Sequence, residues 1–458
     1  MLNTLTDEKS GAITISTIDK EGLARSLAKA PARERAWLKT LGFAAEPGKF
    51  VFLPDSDGRP NKVVVGASLE RDPLWALAGL PDSLPEGRYR LDARLDRERA
   101  TKVALGWALG AYAFTRYKTP KRGFANLVWP AQADRQEVER LARGVFLARD
   151  LINTPAEDLG PSELAAAASK VARQYDASCT VISGSDLLKK NYPTVHAVGR
   201  ASSRPPCLID LRWGRKNAPK VTLVGKGVCF DTGGLDLKPA ANMLQMKKDM
   251  GGAAVVLGLA SALMSAKAPI RLRVLIPAVE NSVSANAIRP LDIVRTRSGK
   301  TVEIGNTDAE GRLILCDALF EADSENPSLL VDCATLTGAA RVALGPEVQA
   351  LFCNDDALAE AILRASVDVA DPIWRLPIWK PYRKLIDSKV ADFNNVADGP
   401  FAGSIIGALY LAEFVRESTP WAHLDIMASN SKPRPGRPEG GEATGLRALY
   451  RMIRQRFG

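Results

Sequence analysis

Two stretches of the 458-residue chain concentrate side chains able to do chemistry. Residues 224–254, VGKGVCFDTGGLDLKPAANMLQMKKDMGGAA, carry Lys226, Asp231, Lys238 and Asp249; residues 306–313, NTDAEGRL, carry Asp308, Glu310 and Arg312. Brought together in a dry cleft, Asp231, Asp249, Asp308 and Glu310 would repel one another, and two divalent cations would cancel their charge. Oxygen-rich ligation suits Mn²⁺, Mg²⁺ or carboxylate-bound Zn²⁺, and two such ions about 3.5–4 Å apart can bridge and activate one water. The competing reading of the same residues is a set of solvated loop charges.

Other chemistries fit less well. The Gly-Lys-Gly at 225–227 is not a phosphate-binding loop, because Lys220 and Gly227 stand where that motif needs Gly and Ser or Thr. The chain has two histidines, His196 and His423, far apart and outside any HExxH pattern, so an imidazole-rich zinc site is excluded. Both histidines read as structural, His423 as a hydrogen-bonded core residue. NTDAEGRL has a purely structural reading too: Thr307 and Glu310 ahead of an apolar run form a capping box. That reading leaves Asp308 and Arg312 unexplained. If the segment is extended, residues 308, 310 and 312 project to one side and share a small site.

These stretches need a scaffold. Up to about residue 130, helical patterns at 21–41 and 97–117 mix with short strands at 50–54 and 62–66, and a basic, proline-containing segment at 117–132 marks a boundary. A helix over 134–153 follows, stopped by Asn153-Thr154-Pro155. Beyond it βαβ alternation sets in: strands at 221–225, 271–277 and 329–336, helices at 252–266 and 313–322. The expected organisation is a smaller N-terminal α/β domain (1–130), a linker helix (131–153) and a larger α/β domain (154–458) whose buried sheet is covered by helices. Strand ends are where such sheets place ligands, and Lys226 follows a strand directly. The Pro- and Gly-rich stretch 429–443 reads as a long loop.

With 46% hydrophobic and 25% charged residues the composition is that of a globular protein. Six scattered cysteines in apolar surroundings, without a CxxC pair, point to reduced core thiols and a cytoplasmic compartment. The amino terminus reads as lacking a secretory signal, and the most apolar run, 253–264, is shorter than the roughly 20 residues a membrane span needs. The net charge of +10 permits anionic partners without demonstrating any.

The two chemical stretches resemble the cytosolic leucine aminopeptidase family of dinuclear metallo-exopeptidases. NTDAEGRL matches its signature; VGKGVCFDTGG, LDLKP and MKKDMGGAA match its other active-site block. RDLINTPAEDL from Arg149, DCATLTGA from Asp332, AGSIIGALYLAEF from Ala402 and WAHLDI from Trp421 add to the likeness, which covers about residues 134–458.

The resemblance implies that Lys226, Asp231, Asp249, Asp308 and Glu310 hold two metal ions, Zn or Mn and possibly Mg, with Lys226 bound as the neutral amine. Lys238 would stabilise the tetrahedral oxyanion, and Arg312, with Ala309, Gly311 and Leu336, would hold a bicarbonate acting as general base. A metal-bridging hydroxide would attack the first peptide bond of peptide substrates, leucine-like first residues being preferred. The pocket for that residue would include Met246, Thr335, Gly338 and Met427. Met427 stands where relatives have a small residue and either reshapes the pocket or turns into the core; Asp236 replaces a common Ser and reads as facing solvent. A central mixed sheet, a homohexamer and a cytoplasmic location are also implied, with no membrane partner. Some bacterial relatives bind DNA, and Arg116, Lys118, Lys121, Arg122, Lys432, Arg434 and Arg437 are basic, but a solvated surface is the preferred reading because no DNA-binding motif accompanies them.

Overall fold

The computed structural model describes residues 3–458. The chain divides into two units within the helix Arg135–Asn153: residues 1–146 with 431–439 form one, and 147–430 with 440–458 the other.

The first unit is built on a six-stranded sheet in the order Leu5–Thr6, Asn126–Val128, Arg88–Leu91, Ile13–Ile18, Pro60–Gly66, Phe50–Pro54. Its pairs are parallel except the last. The helix expected over 21–41 is two, Leu23–Lys29 and Ala32–Thr40, because Pro31 lacks the N–H that a continuous helix would use. The second long helix stops early, at Gly110, and runs from Arg97. Its N-cap, Asp96, accepts a hydrogen bond from the Arg99 N–H at 2.8 Å.

The second unit carries a nine-stranded mixed sheet. Its centre is a parallel quartet, Trp421–Asp425, Leu329–Ala334, Lys220–Gly225 and Arg271–Asn281. Antiparallel partners flank the quartet: Gln349–Cys353 beyond Trp421–Asp425, and Cys207–Gly214 then Ser178–Ser183 beyond Arg271–Asn281. Ile373–Arg375 extends the first edge. Near-continuous burial along Lys220–Gly225 and Leu329–Ala334 is what strands covered on both faces require. The helix Glu310–Ser324 shares a core cluster with Val224, Leu275 and Leu330. Another helix, Gly251–Ser265, packs on the same central strands with every residue from Gly251 to Met264 buried.

All six cysteines are free, five of them buried and Cys179 half-buried. His423 is fully buried, and its Nδ1 lies 2.5 Å from Asp332 Oδ1, whose charge overrides the effect of burial and raises the imidazole's pKa. It is thus the hydrogen-bonded core residue the sequence indicates. His196 is partly exposed on the helix Pro193–Gly199, away from the acidic cluster described next.

Candidate metal centre

The parallel quartet ends where the chemistry begins. After Gly225 the chain turns through Lys226, whose N–H donates to Cys333 O (3.0 Å) and whose C=O accepts from Ala253 N–H (2.9 Å). The turn is tight because of glycine: a Cβ on Gly252 would lie 2.0 Å from Cys333 O and 2.9 Å from Lys226 N. The first turn of the helix Gly251–Ser265 therefore rests directly on the lysine. Just before it, the 3₁₀ turn Met246–Met250 supplies Asp249, buried and held by Thr335 Oγ1, which donates to Oδ1 at 2.7 Å. Asp231 closes the strand Gly227–Asp231, and its Oδ1 accepts from Gly233 N–H and Asn281 Nδ2, each at 2.9 Å.

NTDAEGRL does not cap its helix as a capping box. The helix starts at Glu310 with Ala309 as N-cap and no side-chain cap bond. The Thr307 hydroxyl instead donates to Gly233 O at 2.7 Å, tying this segment to the FDTGG loop. Asp236 completes the tie. Its Oδ2 accepts from Thr307 N–H at 2.7 Å, and its own N–H donates to Thr307 Oγ1 at 2.8 Å. Asp236 is exposed, as expected, but it also fastens the two chemical stretches together. Nor do residues 308, 310 and 312 share one side: Glu310 and Arg312 lie in the helix, two residues apart, and diverge.

The two stretches meet in one cluster. Lys226 Nζ lies 2.7 Å from Asp249 Oδ2 and 2.8 Å from Glu310 Oε1, and donates to Thr335 O at 3.1 Å. Lys238 Nζ lies 2.8 Å from Asp231 Oδ2 and also pairs with Asp308. Oxygens of Asp231, Asp308 and Glu310 all lie within 4.8 Å of one another. Gly311 is part of the same fit: a Cβ there would lie 2.6 Å from Lys226 Cε.

Four carboxylates against two ammonium groups leave an excess of negative charge in a largely buried site. Burial, then the Asp231 charge, pushes Glu310 up to about 8 and Asp308 up to about 6. Burial alone would lower the Lys226 and Lys238 pKa values, but the surrounding carboxylates outweigh it and raise both. Asp249 Oδ2, Glu310 Oε1 and Asp308 Oδ1 accept no aligned hydrogen bond among the described residues and meet only a lysine's charge. Buried carboxylate oxygens in that state are suited to cations.

Arg312 is buried in a different direction. Its Nη1 donates to Asn395 O at 2.5 Å, its guanidinium lies 5.9 Å from the Tyr410 ring centroid, and its Nε has no partner among the described residues. No carboxylate pairs with it within salt-bridge distance there, so a small anion suits the place. Leu336, assigned to that anion by resemblance, donates its N–H to Asp425 Oδ1 at 3.0 Å. Ala309 O accepts from Asn395 Nδ2 at 3.4 Å.

Of the expected pocket residues, Thr335 is buried, Met246 and Met427 are partly exposed, and Gly338 is exposed at the start of the helix Gly338–Leu344. Met427 N–H donates to Gln349 Oε1 at 3.1 Å. Its neighbour Ala428 holds a positive φ of 56° and packs against Gly251, beside Thr335. Asn281, Asn395 and Asp425 escaped the sequence reading. Asn281 Nδ2 bridges Asp231 Oδ1 and Thr307 O; Asn395 Oδ1 accepts from Gly305 and Asn306 N–H; Asp425 accepts from Leu336 and Thr337 N–H. Asp425 lies inside the recognised WAHLDI segment and was within reach, whereas the two asparagines had no local signal.

Residues 146–450 match the profile of the cytosol aminopeptidase family, catalytic domain, and residues 13–130 that of the M17 aminopeptidase N-terminal domain. The chain belongs to the cytosol aminopeptidase family. It is thereby a metallo-exopeptidase, a hydrolase of the aminopeptidase type. A family relative, the probable cytosol aminopeptidase of Roseiflexus castenholzii, is 42% identical over 373 residues, covering 78% of this chain and 76% of that one. The crystal structure of cytosol aminopeptidase from Coxiella burnetii superposes with a TM-score of 0.95 at 47% identity, over 99% of this chain and 100% of that one. The bottromycin maturation enzyme BotP in complex with Mn gives a TM-score of 0.88 at 35% identity, over 98% and 100% of the two chains. No helix among the described residues is long and apolar enough to cross a membrane.

Proposed function

We propose that the protein removes the first residue of peptides at a centre in which Lys226, Asp231, Asp249, Asp308 and Glu310 hold two divalent cations, Zn²⁺ or Mn²⁺ and possibly Mg²⁺. The observation that carries the reading is the convergence of four carboxylates, three with oxygens that only a lysine charge answers. Bound there, the cations would supply Lewis acidity toward water and the scissile carbonyl and would favour the neutral form of Lys226. Lys238 keeps its proton and stabilises negative charge as it develops on the carbonyl oxygen. Arg312, a buried cation without a carboxylate partner, would hold bicarbonate, which would supply a proton acceptor, and the first turn of the helix from Glu310 would add favourable N–H dipoles. The Ala309–Gly311 backbone would border that anion. Leu336 bounds the place by its position, its N–H being committed to Asp425.

Met246, Thr335, Gly338 and Met427 receive the first side chain. A leucine-like preference is the working specificity, and Met427, where relatives carry a small residue, is the position that would reshape it. Residues 154–458 act as the catalytic domain, following the 131–153 helix and the 1–130 domain along the chain, in a cytoplasmic homohexamer. DNA binding is not carried further, since no element of the site depends on it.

A p-nitroanilide panel of Leu, Met and Ala substrates, run with Mn²⁺ and with Zn²⁺, tests the reading. Release should require metal and be abolished by a chelator, and Asp308→Ala and Glu310→Ala should each lower kcat/KM at least 100-fold, about 2.7 kcal/mol. Full turnover in either variant overturns the metal assignment.

A further inference from the structure

Two cations that the mechanism does not use are carried by the same elements as the proposed first-residue pocket. Lys248 lies in the 3₁₀ turn Met246–Met250, two residues after Met246 and directly before Asp249, and is only 4% exposed. The charges within reach of its ammonium are Asp249, Arg341, Lys226 and Asp425, which sets it between the metal cluster and the segment 335–341. Its Nζ nevertheless makes no hydrogen bond and no ion pair among the described residues. The little surface the side chain keeps includes the ammonium itself, so the group opens onto a space rather than into packed core.

Both carboxylates within reach are already committed. Asp249 Oδ1 accepts from Thr335 Oγ1 at 2.7 Å, and its Oδ2 faces Lys226 Nζ at 2.7 Å. Asp425 Oδ1 accepts from the N–H groups of Leu336 (3.0 Å) and Thr337 (3.2 Å), and its Oδ2 from Thr337 Oγ1 at 2.5 Å. Arg341, the second cation, is half-buried on the helix Gly338–Leu344. Its Nη1 donates to Thr337 O at 3.1 Å, and no carboxylate among the described residues lies within ion-pair distance of it. Its Nη2 would lie 3.6 Å from a Cβ placed on Gly338, so the guanidinium runs alongside that pocket residue. A surface lysine is answered by water, but a charge enclosed to this degree is costly unless a partner meets it, and a second cation nearby adds to the cost. One carboxylate entering from the substrate's side would answer both, and a guanidinium offers it a planar fork of donors. A pocket whose buried polar groups are met by one side chain and left unpaired by its isostere discriminates between the two.

We propose, resting on the peptidase reading above, that Lys248 and Arg341 select an acidic first residue: the side-chain carboxylate of an N-terminal glutamate is held between them, which extends the leucine-like working specificity to a charged class. Rates of the Mn²⁺-loaded full chain on Glu-, Gln- and Leu-p-nitroanilide test it, glutamine being the neutral isostere. Glu should exceed Gln in kcat/KM by about ten-fold or more. K248M, which keeps the length of the side chain and removes its charge, should bring that ratio close to one, and R341M should lower it in part. Calorimetric binding of the products should follow the same order, L-glutamate tighter than L-glutamine in wild type and no longer so in K248M. The melting temperature of K248M should not fall, because no ion pair is lost; R341M, at a half-buried position, carries the comparison should K248M fold poorly. Leu-p-nitroanilide separates the two readings. Metal-dependent release of leucine together with equal rates on Glu and Gln overturns the acidic selection alone, whereas no release from any of the three overturns the peptidase reading and the selection with it. A Glu-to-Gln ratio unchanged in both variants also overturns the assignment to Lys248 and Arg341.

Discussion

Asp236 shows how one exposed side chain reaches the chemistry without touching it. Its carboxylate and N–H hold Thr307, whose next residue is Asp308, and the Thr307 hydroxyl in turn holds Gly233, two residues after Asp231. The two loops that meet at Lys238 are therefore set by three hydrogen bonds through Asp236 and Thr307. Asp236→Ala should lower kcat more than it raises KM, by about ten-fold for the loss of a charged hydrogen bond worth roughly 1.5 kcal/mol. Asp236→Asn, which keeps an acceptor oxygen, should recover most of the loss; equal rates for both variants would mean that the tie is only structural. At this scale the sequence was legible where chemistry is carried by residue type: every expected metal-binding side chain lies in the cluster. It was illegible where a common polar residue acts through long-range contacts. Asn281 and Asn395 bond across 26 to 90 residues of chain, and nothing in their neighbours announces it.

Elements were legible in proportion to their burial. The long apolar helix from Gly251 and the central strands follow from their runs of Val, Leu and Ala, whereas the half-exposed 21–41 stretch concealed a break at Pro31. Thr307 misled for a different reason. The Thr-x-x-Glu spacing fits a capping box, but a tertiary partner, Gly233 O, competes for the hydroxyl and the helix begins two residues later, with Ala309 as its N-cap. In the larger unit, the approach of the helix Gly251–Ser265 to the Lys226 turn has the sharpest steric requirement of any glycine. A methyl group on Gly252 cannot coexist with Cys333 O at 2.0 Å, so the helix must move away from the strand and take Asp249 with it. Gly252→Ala should therefore cost several kcal/mol of stability, or lose metal-dependent activity at retained fold, despite alanine's better helix propensity. Thermal melting and the p-nitroanilide rate together decide it, and a variant normal in both would show that the contact relaxes.

Across the larger unit, Arg149 near the end of the long helix pairs with Glu442, 293 residues away and also buried, through Nε–Oε1 at 3.2 Å and Nη2–Oε2 at 3.1 Å. Burial would raise the Glu442 pKa, but the Arg149 charge and hydrogen bonds from Arg149, Asn430 and Ala443 hold it below the ordinary carboxylate value. A depressed folded pKa contributes stability that is fully present above the unfolded value, near 4.3, and lost as pH falls through the folded value. Glu442→Gln should lower stability at pH 7 by about 3 kcal/mol and flatten the acid side of the Tm–pH curve below about pH 5. A variant curve parallel to wild type would remove the pair from that role. The return of residues 431–439 to the first unit was hidden from the sequence, where they read only as a loop, because contact with a distant unit leaves no periodicity. The cysteines carry a practical corollary. Burial pushes all six thiols up, away from the thiolate that alkylating reagents attack. Five of the six are also closed to solvent, so Cys179, half-buried, is the one native thiol within reach of a reagent. A thiol installed at an exposed turn, as by Ser56→Cys, would outcompete the native six for a fluorophore or spin label, with none of them first engineered away.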